Sequence, residues 1–323
     1  MMQDAQGRRL RYLRLSITRA CGMRCTYCRP AGSTPLDDDQ PLTPREIEAL
    51  VRHLVAAHGL RKVRLTGGEP TTRHDLPEII TRLSDIAGLQ DLALTTNGLT
   101  LARQARSLAQ AGLRRVNISL DSLEEHTFHQ ITGVAGLQRV LAGIAAAHDA
   151  GLAPIKLNTV VLRGANDHEL PDLLRFAAQR SLEIRFIELM PMGPLAQQWA
   201  QRFVPESEMR QRLAADTRSW TPQPRGAGSA RTFHATLTNG ASARVGFITA
   251  MSCPFCDQCD RLRIGADGSL YPCLMARPTG TLRHALRPLF DAQRFDHILA
   301  AGLATKAPQH PATGFGIMTQ IGG

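Results

Sequence analysis

The sequence predicts an α/β protein in which six strand–helix units form a partial, open β/α barrel, followed by a C-terminal extension. Three observations predict this fold. Short apolar strands alternate with amphipathic segments of helical length as far as about residue 200. Polar and special residues collect where those strands end, as at the carboxyl face of a parallel barrel. After Pro205 the pattern changes to short strands, so we predict one region at residues 1–205 and another at 206–323.

The predicted strands are runs rich in apolar and β-branched residues, and each ends in a polar or glycine-containing turn. In chain order they are YLRLSIT, KVRLTGG, LALTTNG, RVNISLDS, IKLNTVVLRG and EIRFIELMP. Helices between successive strands imply parallel pairing, because parallel neighbours need a crossover connection. A closed barrel of eight units would need two more than these six, so we predict an open one.

Five amphipathic segments are the predicted helices of the barrel. They are TPREIEALVRHLVAAHG, LPEIITRLSDIAG, LARQARSLAQAG, LQRVLAGIAAAHDAG and HELPDLLRFAAQR. The first carries signals at both ends: Thr43 can cap its N-terminus, Pro44 fits the first turn, Glu46 completes a capping box and Gly59 can end it.

The composition fits a soluble chain with a large core, since 43% of the 323 residues are hydrophobic. No run of about 18 apolar residues occurs and the start lacks a signal-peptide core, so we expect a cytoplasmic protein with no membrane partner. The net charge of +10 favours anionic partners. Arginine supplies nearly all of the excess, and lysine occurs only as Lys62, Lys156 and Lys306. Without a basic block interleaved with aromatics, nucleic acid is not an expected partner.

Seven cysteines fall into two groups, as is typical of metal or redox sites in a large chain. Cys21, Cys25 and Cys28 have the spacing C-x3-C-x2-C. One interpretation is buried thiols or a structural zinc site, with His53 or His58 as the fourth ligand. The other is a 4Fe–4S cluster held by three thiolates, which leaves one iron open to a substrate or cosubstrate.

The second group contains Cys253, Cys256, Cys259 and Cys273. The segments RLRI and SLYPC flank an Asp-Gly pair, which predicts a two-residue hairpin that returns Cys273 to Cys259. Cys253 also forms a C-x2-C pair with Cys256. We select Cys256, Cys259 and Cys273 as ligands, because the first two directly precede the hairpin.

Arg261 and Arg263 lie two positions apart on the first arm of this hairpin, so their side chains leave the same face. Two guanidiniums beside three thiolates would suit a planar, anionic ligand. The alternative is an exposed arginine pair on a zinc ribbon.

The three-cysteine motif after the first strand and the GGEP loop after the second resemble the radical S-adenosylmethionine superfamily. The resemblance implies that S-adenosylmethionine takes the open iron of a 4Fe–4S cluster. One electron then breaks its sulfonium bond and gives a 5′-deoxyadenosyl radical. Tyr27, directly before the last cysteine, is aromatic as in that superfamily. Gly67 and Gly68 would let the backbone approach the methionine.

Further motifs along nearly the whole chain resemble the GTP 3′,8-cyclase family of molybdenum cofactor biosynthesis. They are LRLSIT, LTGGEP, TTNG, NISLDS, KLNTVVLRG, RFIELMP, CDRLR and the terminal IGG. The resemblance implies a lyase with a second 4Fe–4S cluster whose open iron binds the guanine of GTP. The expected product is (8S)-3′,8-cyclo-7,8-dihydroguanosine 5′-triphosphate. The implied partners are an external one-electron donor and a downstream cyclic pyranopterin monophosphate synthase, with the oligomeric state left open between monomer and homodimer.

The resemblance also assigns roles to individual residues. The cluster ligands would be Cys21, Cys25 and Cys28, then Cys256, Cys259 and Cys273. The residues lining S-adenosylmethionine would be Tyr27, Gly68, Ser119 and Met190. The residues lining GTP would be Arg14, Arg64, Thr95, Lys156, Arg261, Leu262 and Arg263. Catalytic roles would fall to Arg14, Lys156, Gly322 and Gly323; the apolar GFGIMTQI segment can anchor the tail that carries the two glycines.

The chain departs from the family pattern near both clusters. RACG at residues 19–22 stands where the family has Asp-Arg-Cys-Asn, and Arg29, Val134 and Asp260 stand in place of Met, Arg and Asn. None of these departures removes a cysteine. Two other functions remain open from the sequence: a different radical S-adenosylmethionine enzyme with an auxiliary cluster, such as a peptide-modifying maturase, and a zinc-stabilised nucleic-acid-binding protein.

Overall fold

Six parallel strands form the centre of the fold, in the order of the chain. The computed structural model describes residues 2–29, 40–224, 228–314 and 318–321. The central strands are β1 (Tyr12–Ser16), β2 (Lys62–Thr66), β3 (Asp91–Thr96), β4 (Arg115–Ser119), β5 (Lys156–Val161) and β6 (Glu183–Glu188). Each pairs in parallel with the next, which confirms the predicted partial barrel of six units.

Helices connect these strands and cover one face of the sheet. They are α1 (Pro44–His58), α2 (Leu76–Ser84), α3 (Leu101–Gln110), α4 (Glu125–Thr132), α5 (Leu137–Asp149) and α6 (Leu170–Gln179). The capping signals of α1 are confirmed: the Thr43 side chain accepts from the Glu46 amide, and Gly59 ends the helix with a φ of 70°. The sequence did not predict the short helix α4, which precedes α5 in the connection from β4 to β5.

The outward side chains of the central strands form the core beneath these helices. Leu13 and Leu15 of β1 and Val63 and Leu65 of β2 are at most 1% exposed. Alternation along each strand turns the residues between them to the other face, so polar side chains line the inside of the barrel.

The C-terminal region supplies further short elements. Its strands are β7 (Thr217–Pro222), β8 (Arg231–Leu237), β9 (Ser242–Ile248), β10 (Arg261–Ile264), β11 (Ser269–Tyr271) and β12 (Gly280–Thr281). Its helices are α7 (Trp199–Arg202), α8 (Glu206–Arg212), α9 (Arg283–Leu286), α10 (Ala292–Ala304) and α11 (Met318–Ile321). The division at residues 205 and 206 stays a prediction.

The C-terminal strands extend both edges of the central sheet. Strand β9 pairs in parallel with β6, and β10 pairs in parallel with β1. The resulting order is β12-β11-β10-β1-β2-β3-β4-β5-β6-β9-β8-β7, an open sheet of twelve strands in the described chain. Both barrel edges are therefore covered by main-chain pairing, which an isolated partial barrel would leave exposed.

The predicted hairpin around the second cysteine group is present, but its turn is longer than two residues. Strands β10 and β11 are antiparallel, and the Gly265 amide donates to the Ser269 carbonyl at 2.8 Å. Gly268 has a φ of 83°, a conformation that glycine adopts without strain. The connection is therefore a turn followed by a left-handed glycine, and it still returns the chain towards Cys259.

Among the helices that the structure describes, none is both long and apolar enough to cross a membrane.

Candidate active site

One cavity of about 680 Å³ lies inside the barrel, and it is lined by the three cysteines of the first group and by Cys256, Cys259 and Cys273 of the second. Cys21, Cys25 and Cys28 lie on the loop after β1, whereas Cys256 and Cys259 precede β10 and Cys273 follows β11. The strands between them contribute the polar inner wall. The fold therefore brings together two cysteine groups that are more than two hundred residues apart in sequence.

Main-chain bonds to the end of α4 position the first cysteine loop. The Arg24 amide donates to the Thr132 carbonyl at 2.8 Å, and the Thr26 amide donates to the Ile131 carbonyl at 2.9 Å. Within the loop, the Cys28 amide donates to the Cys25 carbonyl at 2.9 Å. The three cysteines are partly buried, so their sulfur atoms face the cavity from a loop with fixed geometry.

A buried tyrosine–aspartate pair lies beside this loop. The Tyr27 hydroxyl donates to an Asp121 carboxylate oxygen at 2.6 Å, and the Val160 amide donates to the other oxygen at 2.8 Å. Burial raises the pKa of Asp121 to about 6 in spite of these two donors. The pKa of Cys25 is also raised well above its usual value, first by burial and then by the nearby Asp121 charge. A bound cation such as an iron ion would offset this accumulation of negative charge.

The GGEP loop packs against the chain that enters the cysteine loop. The Gly68 amide donates to the Thr18 carbonyl at 2.7 Å, and the Glu69 amide donates to the Ala20 carbonyl at 2.7 Å. A Cβ atom on Gly68 would collide with the carbonyl oxygens of Arg19 and Ala20. Glycine is thus required here by a close approach of two backbones, and Gly68 still lines the cavity.

The cysteine sulfurs of the described residues are not arranged as a closed zinc site. A tetrahedral zinc ion with Zn–S bonds of about 2.3 Å draws its thiolates to within about 4 Å of one another. In the described part of the chain, no three cysteine sulfurs lie within 4.8 Å of one another. The histidines considered as a fourth zinc ligand, His53 and His58, lie instead against Asp296 and do not line the cavity. That part of the zinc interpretation is wrong.

Lys306 sits beside the second cysteine group. Its ammonium lies 3.6 Å from the Cys259 sulfur, 3.2 Å from the Arg261 carbonyl oxygen and 2.5 Å from the Pro272 carbonyl oxygen. Burial opposes ionisation of Cys259, but Lys306 and then Arg261 outweigh it and lower the pKa of this thiol. Cys253 is exposed and does not line the cavity, unlike its three neighbours.

Arginines from three adjacent strands form a wall of the cavity. In the pairing register, Arg14 of β1 lies opposite Arg64 of β2 on one side and Arg263 of β10 on the other. Arg64 and Arg263 are 8% and 5% exposed. Burial and then the charge of Arg263 hold the pKa of Arg14 well below its usual value. Burial and then Arg261 lower the pKa of Arg263 to about 10. An anion bound among these guanidiniums would relieve their mutual repulsion.

Lys156 also lines the cavity, from β5, which β3 and β4 separate from the nearest member of the arginine wall, and it belongs to a charged group on β5 and β6. Its ammonium is 3.0 Å from a Glu183 carboxylate oxygen, and Arg185 donates to the other oxygen at 2.6 Å. Burial, followed by the charge of Arg185, lowers the pKa of Lys156 to about 8, although Glu183 opposes the shift. Glu183 carries one negative charge and contacts two cations, Lys156 and Arg185, so this group of three side chains keeps a net positive charge.

Several buried polar atoms on the inner wall have no hydrogen-bond partner within the described chain. They include the hydroxyl of Thr95, the amide oxygens of Asn117 and Asn158, and Nε of Arg64. Buried polar groups are normally satisfied, so unsatisfied ones that face a cavity indicate a polar ligand. Among the described residues that line the cavity, nine are Lys or Arg and four are Asp or Glu. The ligand favoured by this lining is anionic.

The structure brings most of the sequence-predicted site residues to this cavity. All six proposed cluster cysteines line it, as do Tyr27, Gly68, Ser119, Met190, Arg14, Arg64, Thr95, Lys156, Arg261 and Arg263. Leu262 does not: strand alternation turns its side chain into the core, where it is 1% exposed, so a side-chain contact with a ligand is not supported. Gly322 and Gly323 lie outside the described residues. The segment just before them ends at Ile321, which is buried against Met192, Tyr271 and Met275.

Four cavity cations were missed from the sequence: Lys62, Arg115, Arg185 and Lys306. The rarity of lysine was a signal that could have identified Lys62 and Lys306, because all three lysines of this arginine-rich chain line the cavity. Arg115 donates to Asp91 at 2.6 Å and is partly neutralised by it.

The departures from the family pattern have their own contacts. Arg19 forms a 2.5 Å ion pair with Asp267, which joins the first cysteine loop to the β10–β11 hairpin. Arg29 is 3% exposed, and its guanidinium is 3.4 Å from the Cys21 carbonyl oxygen. The Asp260 carbonyl accepts from the Tyr12 amide at 3.2 Å. These contacts reinforce the cysteine loop and the attachment of β10 to β1.

The partial barrel and its three-cysteine loop define a radical S-adenosylmethionine protein. Residues 15–177 match the family described as the radical SAM superfamily, and residues 182–312 match the one described as Molybdenum Cofactor Synthesis C. The chain is 41% identical to the GTP 3′,8-cyclase of Pelotomaculum thermopropionicum over 96% of its own length and 95% of that protein. The enzyme of the same name from Xanthomonas campestris is 45% identical over 88% and 85% of the two chains. The chain therefore belongs to the GTP 3′,8-cyclase family, and radical SAM membership implies a 4Fe–4S cluster and S-adenosylmethionine.

Solved structures of low sequence identity share the fold. Streptococcus suis SuiB bound to the precursor peptide SuiA matches with a TM-score of 0.62 at 13% identity, over 94% of this chain and 72% of that one. SuiB bound to S-adenosylmethionine matches equally well, with a TM-score of 0.62 at 14% identity, over 88% and 68% of the two chains. At this identity the likeness shows the fold alone.

Proposed function

We propose that this protein cyclises GTP to (8S)-3′,8-cyclo-7,8-dihydroguanosine 5′-triphosphate, the first step of molybdenum cofactor biosynthesis. One observation carries the proposal: a single cavity joins the three-cysteine loop to an in-register wall of Arg14, Arg64 and Arg263. A polyanionic substrate and a radical source would thus meet in one enclosed space. The family assignment independently supports the same reaction.

Cys21, Cys25 and Cys28 would hold the first 4Fe–4S cluster. When bound, this cluster supplies the electron that breaks the sulfonium bond of S-adenosylmethionine. Tyr27 lies on the cysteine loop, and Gly68 packs against the segment that enters it, so their positions suit the cosubstrate. Ser119 and Met190, at the ends of β4 and β6, would complete its pocket.

Cys256, Cys259 and Cys273 would hold a second 4Fe–4S cluster near the guanine of GTP. Lys306 would stabilise the negative charge of this cluster through its contact with the Cys259 sulfur. Arg261 stacks on Phe255, with 4.9 Å from the guanidinium carbon to the ring centroid, and this contact fixes its direction. The hairpin would therefore place an ordered cation beside the cluster.

Arg14 of β1 and Lys156 of β5 would hold the triphosphate from different strands of the cavity wall. A charge-assisted hydrogen bond to a phosphate contributes about 1.5–3 kcal/mol, so several together can fix the ribose against the radical source. Thr95 and Asn117 would donate or accept the remaining polar contacts. The buried lining would also keep bulk water away from the radical intermediates.

The proposed reaction balances as an isomerisation of GTP. One hydrogen atom leaves C3′ of the ribose for the 5′ carbon of the deoxyadenosyl radical, and a bond forms between C3′ and C8. One electron and one proton then return to the base. Cleavage of the sulfonium bond consumes another electron, so an external one-electron donor must supply two electrons per turnover. The product has the same elemental composition as GTP, and 5′-deoxyadenosine and methionine accompany it.

The remaining partner and location proposals follow from the family. A downstream cyclic pyranopterin monophosphate synthase would consume the product in the cytoplasm. The choice between monomer and homodimer stays open. The peptide-modifying alternative is not favoured, because relatives that are 41–45% identical to this chain are named GTP 3′,8-cyclase, whereas the SuiB likeness concerns the fold alone.

Anaerobic incubation of the reconstituted protein with GTP, S-adenosylmethionine and dithionite tests the proposal. Chromatography must precede mass analysis, since the product is an isomer of its substrate. We expect equal amounts of 5′-deoxyadenosine and of a new compound with the mass of GTP. Cys25→Ser should form neither. If wild type formed 5′-deoxyadenosine but no GTP isomer, the protein would be a radical enzyme with another substrate.

A further inference from the structure

Two histidines and an aspartate converge on the outer surface of the barrel, away from the cavity. His53 and His58 lie on the C-terminal half of α1, and Asp296 lies on α10. Nε2 of each histidine is 2.7 Å from the same oxygen, Oδ1 of Asp296. One potential ligand atom from each of the three side chains lies within 4.8 Å of the other two. We call these residues the His–Asp site.

The surroundings of the His–Asp site fix its geometry and leave one side open. The ring of His53 packs edge-on against Phe290 and Phe295, with centroid distances of 5.1 Å to each. The two histidine side chains are 14% and 19% exposed, and the Asp296 side chain is 43% exposed. An ion could therefore enter from solvent and keep a water molecule as a further ligand.

We propose that the His–Asp site binds a divalent zinc ion through Nε2 of His53, Nε2 of His58 and a carboxylate oxygen of Asp296. Two imidazoles and a carboxylate form a ligand set that suits zinc, with water in the fourth position. Zinc bonds of about 2.0–2.1 Å at tetrahedral angles separate neighbouring ligand atoms by about 3.4 Å. The present separations of 2.7 Å are hydrogen bonds and would need to open by only about 0.7 Å.

The position of the site gives the ion a defined consequence. Helix α1 belongs to the barrel, whereas α10 belongs to the C-terminal region. Near the N-terminus of α1, Arg287 donates to Glu46 at 3.0 Å and links the C-terminal region to the barrel. A zinc ion at the His–Asp site would link the C-terminal end of α1 to α10. It would thereby stabilise the packing of the segment that leads from α10 to Lys306 at the cavity.

Zinc content of the cluster-loaded protein tests the proposal. The full chain is reconstituted anaerobically, dialysed against micromolar zinc chloride and analysed for zinc and iron. We expect about one zinc per chain in the wild type, and a loss of affinity of at least about 10-fold in Asp296→Asn and His58→Gln. Asp296→Asn keeps the size of the side chain and a hydrogen-bond acceptor, so the helices can still pack. His148→Gln changes an exposed histidine elsewhere and should bind zinc as the wild type does.

X-ray absorption at the zinc edge separates this site from zinc in the cysteine groups. We expect nitrogen and oxygen ligands at about 2.0–2.1 Å with imidazole outer-shell scattering, whereas zinc on cysteine would show sulfur at about 2.3 Å. Sulfur ligation, equal zinc in all variants or no zinc in the wild type would overturn the proposal. If both variants failed to fold, the wild-type spectrum alone would decide.

Discussion

The ammonium of Lys306 lies 3.6 Å from the sulfur of Cys259, and Lys306 is only 3% exposed. The lysine is 47 residues from this cysteine in sequence and reaches it from the segment after α10. Its two carbonyl contacts fix the charge in place. A buried positive charge beside a thiolate favours the more negative state of whatever that thiolate binds.

Replacing Lys306 by Met should therefore lower the reduction potential of the second cluster. Loss of the positive charge disfavours the reduced form, and we expect a shift of roughly tens of millivolts. A redox titration followed by electron paramagnetic resonance measures it. Lys62→Met, which removes a charge from β2 in the same cavity, is the matched control and should shift the potential less. Equal reduction potentials in the wild type and in Lys306→Met would show that this lysine does not influence the second cluster.

Cys253→Ser should keep two full clusters, whereas Cys256→Ser should lose about four irons per chain. Cys253 is exposed and does not line the cavity, whereas Cys256 does. Iron and sulfide analysis after anaerobic reconstitution measures the difference. If Cys253→Ser lost the iron and Cys256→Ser kept it, the cluster ligand would be Cys253 and not Cys256.

Arg263→Ala should weaken GTP binding by about 10- to 150-fold, the loss of one charge-assisted contact. Binding of S-adenosylmethionine and formation of 5′-deoxyadenosine, which depend on the first cluster, should not change, because Arg263 lies on the hairpin wall and not on the first cysteine loop. Calorimetry of each ligand measures the two affinities. Arg52→Ala, on the exposed face of α1, should bind GTP as the wild type does. Unchanged GTP affinity in both Arg263→Ala and Arg261→Ala would exclude the hairpin from the site.

GTP binding near pH 8.5 should take up a proton at Lys156. The pKa of this lysine is lowered to about 8, so at pH 8.5 the amine is mostly neutral in the free protein. A bound triphosphate favours the charged form and raises the pKa, so binding protonates the amine and affinity falls as pH rises through about 8. Calorimetry in buffers of different ionisation enthalpy measures the uptake. The proton uptake should disappear below about pH 7 and in Lys156→Gln. Uptake that persists in Lys156→Gln would show that another group takes up the proton.

Deletion of Gly322 and Gly323 should abolish the cyclised product but leave both clusters and S-adenosylmethionine binding in place. The segment before them packs beside the cavity, where Ile321 is buried and Met318 is one of the lining residues. Formation of the GTP isomer, iron content and cosubstrate affinity are measured on the same preparation. Full cyclase activity in the shortened chain would show that the glycines have no role in the reaction.

The order of the central strands and the cysteine loop could be predicted because local pattern determines both. Alternating strands and amphipathic helices leave few arrangements other than a parallel sheet. The spacing of Cys21, Cys25 and Cys28 is likewise local, since one short loop carries all three. Arg261 and Arg263 were predicted to share a face because strand periodicity is strict.

Contacts between distant segments required the tertiary structure. The sequence alone does not specify that β10 pairs with β1, so the in-register row of Arg64, Arg14 and Arg263 could not be derived from it. The same holds for Lys306 against Cys259 and for the two histidines of α1 against Asp296. Sequence by itself therefore determined which elements form and which chemical groups the chain carries. Only the fold decided which of those groups meet, because strand pairing and helix packing join residues according to the complementarity of distant surfaces rather than their spacing along the chain.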